Sequence, residues 1–216
     1  MSTWDKATEL IGSVFADAFV AKGHARLTMF RKAPEVAGTR LGEFLATLSK
    51  RSGFTSAHER LFLGSQLEKE GDYILLVEEN QNVAYWGVRI QDLGCEDPPV
   101  HRSNNIEPIV WRKEWERASA YFSAFALWQA TNGGFPISAF ASGACAATRN
   151  RIEQRFSLVS LYENPSGRLF FSSKDFSSLL AVAGSEIRAA ARSKDAWNSL
   201  RELEIDWSYC SVGDNG

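Results

Sequence analysis

Trp4, Ala7, Leu10, Ile11, Val14, Phe15, Ala18 and Phe19 recur at spacings of three and four, which predicts a helix over residues 3–22 with one apolar face. Ser2 or Thr3 can receive its first amides, and Gly23 permits the left-handed turn that stops it. A strand over 26–30 follows, then a shorter amphipathic helix marked by Leu41, Phe44, Leu45 and Leu48, ending before Gly53. Residues 73–78 and 83–90 are β-branched and aromatic, and the four-residue polar loop between them predicts a hairpin. The apolar runs of both strands are nearly continuous, so both faces should be covered and the hairpin should sit inside its sheet. Pro98 and Pro99 lack amide hydrogens and end regular pairing, with a strand resuming over 106–111.

Ala120, Phe122, Phe125, Ala126, Leu127 and Trp128 predict a central buried helix over 116–131, closed by Gly133 and Gly134. A further helix is expected over 139–154, weakened at its start by Ser142 and Gly143. Residues 156–162 and 168–172 flank the turn-forming cluster at 163–167 and read as a second hairpin. Residues 176–180 are ambiguous. Ser193 caps a last helix to about Leu203, and 205–209 reads as a final strand. The pattern contains no internal repeat and no low-complexity segment, and only the last four residues read as frayed.

A chain of 216 residues, 44% hydrophobic and 23% charged, is ordinary globular material, and no linker-like run divides it, so one domain over 1–216 is expected. Asp5, Glu9 and Asp17 interrupt what would have to be a leader, and no apolar stretch reaches membrane-spanning length; a cytoplasmic protein is expected. Cys95, Cys145 and Cys210 are widely spaced and odd in number, which fits reduced thiols better than a zinc site or a disulfide framework.

The net charge of −2 conceals an uneven distribution: residues 66–107 carry nine Asp and Glu against three Lys and Arg. Such a segment repels phosphates and attracts basic partners, which argues against direct nucleic-acid binding there.

Chemistry is sparse along the chain. His24, His58 and His101 are isolated, and no phosphate-binding or dinucleotide-binding glycine run occurs. Cys145, set among alanines, reads as a small buried residue rather than a nucleophile. His101 with Asp97 would make a thin base-and-orienter pair. Glu78 and Glu79 are adjacent on a strand, so their side chains point to opposite faces and cannot converge on one substrate atom. Trp86 suits a core or an interface anchor, and Gly87 allows a ring or backbone to approach closely.

The apolar strand leading into Glu79-Asn80-Gln81, the Trp86-Gly87 pair and the Asp97-Pro98-Pro99-Val100 corner resemble the SUKH superfamily, sharply over 73–100 and loosely elsewhere. The resemblance implies an α+β fold with a twisted, mostly antiparallel central sheet flanked by helices. It also implies a non-enzymatic binding scaffold without cofactor or metal. The function expected from it is immunity: binding a cognate bacterial toxin domain and occluding its active site. The alternatives are an adaptor for a host protein on the same scaffold, and an enzyme with an unrecognised site. The expected partner-binding residues are Glu68, Glu70, Asp72, Glu79, Asn80, Gln81, Asp92, Glu96 and Asp97, with no nucleic acid or membrane as partner.

Overall fold

The computed structural model describes residues 1–16, 30–48 and 54–211. Helix α1, Thr3–Val14, begins with a reciprocal capping box, in which Asp5 N–H donates to Ser2 Oγ at 3.1 Å and Ser2 N–H to Asp5 Oδ2 at 2.8 Å. It closes earlier than the apolar periodicity predicts. Phe15 turns into extended backbone so that its ring packs against Phe54 and Phe135, and residues 17–22 lie outside the described residues. The strand expected over 26–30 also lies outside them, apart from the buried Phe30. Helix α2, Arg40–Thr47, is capped by Thr39, whose Oγ1 accepts from the Gly42 amide at 3.0 Å.

A first antiparallel sheet follows, built from β1 (Arg60–Leu61), β2 (Glu68–Glu70), β3 (Tyr73–Glu78), β4 (Ala84–Arg89), β5 (Val100–Asn104) and β6 (Trp111–Trp115). Its order is β1-β3-β4-β5-β6, with β2 also on β3, so the expected hairpin β3–β4 is interior to the sheet. Gly87 is required where β4 crosses β3. A Cβ there would lie 2.6 Å from the Ile74 carbonyl and 3.2 Å from the Trp111 ring. Residues 106–110 are not the expected strand. Pairing on β5 resumes only from Trp111, and Ile106 and Val110 stand exposed in the connecting loop.

Helix α3, Ala118–Gln129, is buried on nearly every side, as an all-round apolar helix must be. After it come β7 (Ile137–Ala141), α4 (Ala146–Arg155), β8 (Ser157–Leu158), β9 (Leu169–Ser172), β10 (Ser178–Ala183), β11 (Glu186–Ala191), α5 (Lys194–Arg201) and β12 (Tyr209–Cys210). The strands form a second antiparallel sheet in the order β12-β7-β11-β10-β9-β8. The α+β class and the antiparallel pairing are as expected, with the strands shared between two sheets rather than one.

The helix expected over 139–154 is two elements. Ile137, Ala139 and Ala141 alternate inward as a strand, Gly143 takes φ +82°, and the helix starts only at Ala146. The ambiguous 176–180 segment enters β10, and the alanine-rich β11 pairs with both β10 and β7. The expected last strand shrinks to Tyr209–Cys210.

Period-two alternation divides the second sheet between two cores. Phe170, Leu179, Ala181 and Ala190 face the large cluster shared with α1, α2, α3 and the first sheet. Phe171, Leu180, Val182, Ile187 and Ala189 face the other way, beneath Ile152 of α4 and Trp197 and Leu200 of α5. Helix α3 thus packs between the sheets. No helix among the described residues is long and apolar enough to cross a membrane.

Candidate functional site

The buried end of α3 fixes the loop that carries the most unusual carboxylate of the chain. Gln129, fully buried, accepts from the His58 amide at 3.0 Å and the Glu59 amide at 2.9 Å through Oε1. Its Nε2 donates to the Phe54 carbonyl at 3.1 Å and the Glu59 carbonyl at 2.7 Å. One carboxamide therefore satisfies four backbone groups that β1 does not reach. The Glu59 side chain is held against α3, only 8% exposed.

Glu59 opens into a cleft of about 450 Å³ whose walls come from the first sheet, α3 and the β8–β9 turn. Tyr121 and Phe125 of α3 form the floor with Trp115, while Trp86, Trp128 and Phe170 supply further aromatic surface. Trp86 Nε1 donates to Glu114 Oε2 at 2.6 Å, fixing both at one wall. Arg168 is delivered by the turn the sequence predicts at 163–167, where Gly167 takes φ +66° and Asn164 Nδ2 donates to the Arg168 carbonyl at 2.6 Å. Its guanidinium lies 3.8 Å from the Trp128 ring centroid. His58 meets the edge of the same ring, and Arg188, tied to Asn132 at 2.7 Å, lies beyond it.

Burial dominates the electrostatics here. It pushes the Glu59 carboxyl up to about 7, with Glu79 and Glu114 adding to the rise and Arg168 opposing it. The Tyr121 phenol is raised by burial, then by Glu59 and Glu114. Burial and the charge of Arg188 lower His58, which favours its neutral ring. Several polar groups in the cleft are uncommitted: among the described residues Tyr121 Oη and Trp128 Nε1 have no hydrogen-bond partner, and the Arg102 and Arg168 guanidiniums make no hydrogen bond or ion pair. The Trp128 indole N–H is near the Glu59 carboxyl but outside hydrogen-bond geometry.

The residues singled out from the acidic segment fall in three places. Glu79, Asn80 and Gln81 form the β3–β4 turn at the rim of the cleft. There Gln81 N–H donates to Glu79 Oε2 at 2.7 Å, and Asn80 Nδ2 lies 3.2 Å from His58 Nδ1. Glu70, Asp72 and Asp92 gather at the opposite end of the hairpin, where the Ile90 amide bonds the Asp72 carbonyl at 2.8 Å. Glu68, on the same β2 edge, pairs with Lys32 at 2.6 Å. Glu96 and Asp97 lie against the helices: the Glu96 carbonyl accepts from Trp4 Nε1 at 2.9 Å, and Asp97 caps α3. The segment is therefore not one continuous acidic face, and Asp97 is committed internally.

Other expectations need correction. His101 faces the Tyr73 ring and the charge of Asp92 rather than Asp97, so no base-and-orienter pair forms. Cys145 is exposed, not buried, because it precedes α4 at the surface. All three cysteines are free. Trp86 is half-buried and lines the cleft. Glu78 pairs with Arg60 at 3.1 Å.

Sequence reasoning missed Glu59, Glu114, Tyr121 and Arg168. Glu59 sits in a charged Ala-His-Glu-Arg run that reads as solvated, and the only available signal was Arg168 directly after a strong turn. His24 lies outside the described residues, which contain no cluster of three or more potential metal ligands. No known family, curated protein or solved structure matches this chain.

Proposed function

We propose that the chain is an immunity-type binding protein that captures a cognate toxin domain at the end of the first sheet where the β3–β4 turn and the β5–β6 loop lie side by side. The carrying observation is an exposed apolar set beside the signature-like turn: Val83, Ile106 and Val110 are 52%, 70% and 55% exposed. They share one end of the sheet, because the Asn105 amide bonds the Val83 carbonyl at 2.9 Å and Asn105 Nδ2 bonds the Asn82 carbonyl at 3.0 Å. Asn80, Gln81, Arg102 and Arg112 give this patch a polar rim, the composition of a protein-docking surface. The turn is stiffened by its own Glu79 carboxylate, which limits the ordering cost of binding. The SUKH resemblance supports a toxin as the partner class.

The test is pull-down with the product of the gene directly upstream, followed by growth rescue if that product is toxic. Ile106→Asp and Val110→Asp should abolish rescue while circular dichroism stays unchanged, and the Glu70→Gln/Asp72→Asn/Asp92→Asn triple variant should leave it intact. Full protection by folded Ile106→Asp/Val110→Asp would move the interface elsewhere. Failure of the wild-type chain to bind or protect would reject the reading.

A further inference from the structure

The aromatic cleft is a built cavity within the volume range of small-molecule sites, and several of its polar groups, Tyr121 Oη and the Arg168 guanidinium among them, remain uncommitted. Tyr121 is 4% exposed, and its hydroxyl is buried without a hydrogen-bond partner among the described residues. Arg168 is half-buried and stacked on Trp128, with no carboxylate in contact although Glu59 and Glu114 are near. A buried phenol and a partly desolvated guanidinium left unpaired are unfavourable unless something fills the space between them.

We propose that this cleft binds a small organic anion carrying a planar ring, its carboxylate or phosphate held by the Arg168 guanidinium and the Tyr121 hydroxyl and its ring against the indoles. The argument rests on an asymmetry of charge. Arg102, Arg168 and the neighbouring Arg188 bring three guanidinium charges to the cleft, so a cationic guest would meet repulsion from them. The carboxyl that an anion would oppose at depth is Glu59, and it can become neutral, because burial lifts it to about 7. A protonated Glu59 turns from a repelling charge into a further donor. The remaining groups facing Glu59 have partners or directions of their own: Glu79 engages its own turn amides, Glu114 accepts from Trp86, burial drives His58 toward its neutral form, and the Trp128 N–H points to the same region. Anion binding should therefore take up a proton. This inference is independent of the toxin-binding reading, since it concerns the chain alone.

The experiment uses the isolated full chain and a matched set of probes: benzoate and phenyl phosphate, neutral benzyl alcohol, and cationic benzylamine. Binding is read by indole ¹⁵N–¹H resonances and by calorimetry in buffers of different ionisation heat. The expected result is binding of the two anions, with affinity falling roughly tenfold between about pH 6 and pH 8, and with proton uptake on binding at about pH 7–8 that fades toward pH 6, where the free carboxyl already holds its proton. Arg168→Met and Tyr121→Phe should each weaken binding by at least about tenfold. Glu59→Gln should retain binding and lose its pH dependence, which a merely structural role of Glu59 would not produce. Preference for benzylamine with affinity rising with pH would overturn the proposal. So would the absence of any indole shift at millimolar anion, or unchanged pH dependence in Glu59→Gln.

Discussion

Gln129 grips Glu59 from both ends of the residue, its Oε1 taking the amide and its Nε2 donating to the carbonyl. The side chain of a central helix thereby places a carboxylate that the neighbouring strand is too short to fix. Replacing Gln129 by Leu preserves bulk but leaves four backbone groups without partners, two of them on Glu59 itself. A loss of about 3 kcal/mol is expected in urea unfolding, together with increased hydrogen exchange over residues 54–59.

The buried Glu59 carboxyl makes stability depend on pH in an unusual direction. Its folded value of about 7 lies above the ordinary 4.5, so between those limits the folded chain holds a proton that the unfolded chain releases. Stability from this group is therefore full below about pH 4.5 and is lost as pH rises toward 7, by on the order of 3 kcal/mol in total. Glu59→Gln removes the effect. Urea midpoints of the two proteins should converge at pH 4.5 and diverge in favour of the variant by pH 7.5, and parallel profiles would refute the assignment.

Asp97 serves the fold rather than a partner. Residue Arg117 at the start of α3 offers no side-chain cap, and Asp97 supplies one from another segment, receiving Ser119 N–H at 2.9 Å, Ser119 Oγ–H at 2.5 Å and Thr3 Oγ1–H at 2.7 Å. Asp97→Ala should cost about 2 kcal/mol in unfolding free energy, read by urea titration.

Gly87 is a packing requirement. Its substitution by Ala drives a methyl group into the Ile74 carbonyl and the Trp111 ring, at an expected cost of about 2 kcal/mol and with loss of the stacked Tyr73–Trp111 arrangement. Near-ultraviolet circular dichroism and thermal unfolding check both effects.

Cys145 should be the reactive thiol. The Thr148 hydroxyl first, then the amides of Thr148 and Ala147, lower it to about 7, whereas among the described residues no hydrogen bond reaches the exposed Cys95 thiol. Alkylation by iodoacetamide should follow a pH profile centred near 7, and Thr148→Val should shift that profile upward. Equal rates at Cys95 and Cys145 at pH 7 would contradict this.

What the linear chain determined by itself was whatever depends on neighbours in sequence. Ser2 and Ser193 cap the helices they precede, the polar stretch at 79–82 makes the hairpin turn, Gly167 closes the turn before Arg168, and the apolar run of α3 buries itself. Tertiary structure decided the rest, because it depends on what lies opposite. Alanine-rich β11 is a central strand since two partners pair with it, and Asp97 is a cap since α3 begins beside it. The acids of one sequence segment face three directions, whereas Glu59, Glu114, Tyr121 and Arg168, distant in sequence, share one cleft. Burial sets the protonation of Glu59, and burial is a property of the packed chain that no local pattern encodes.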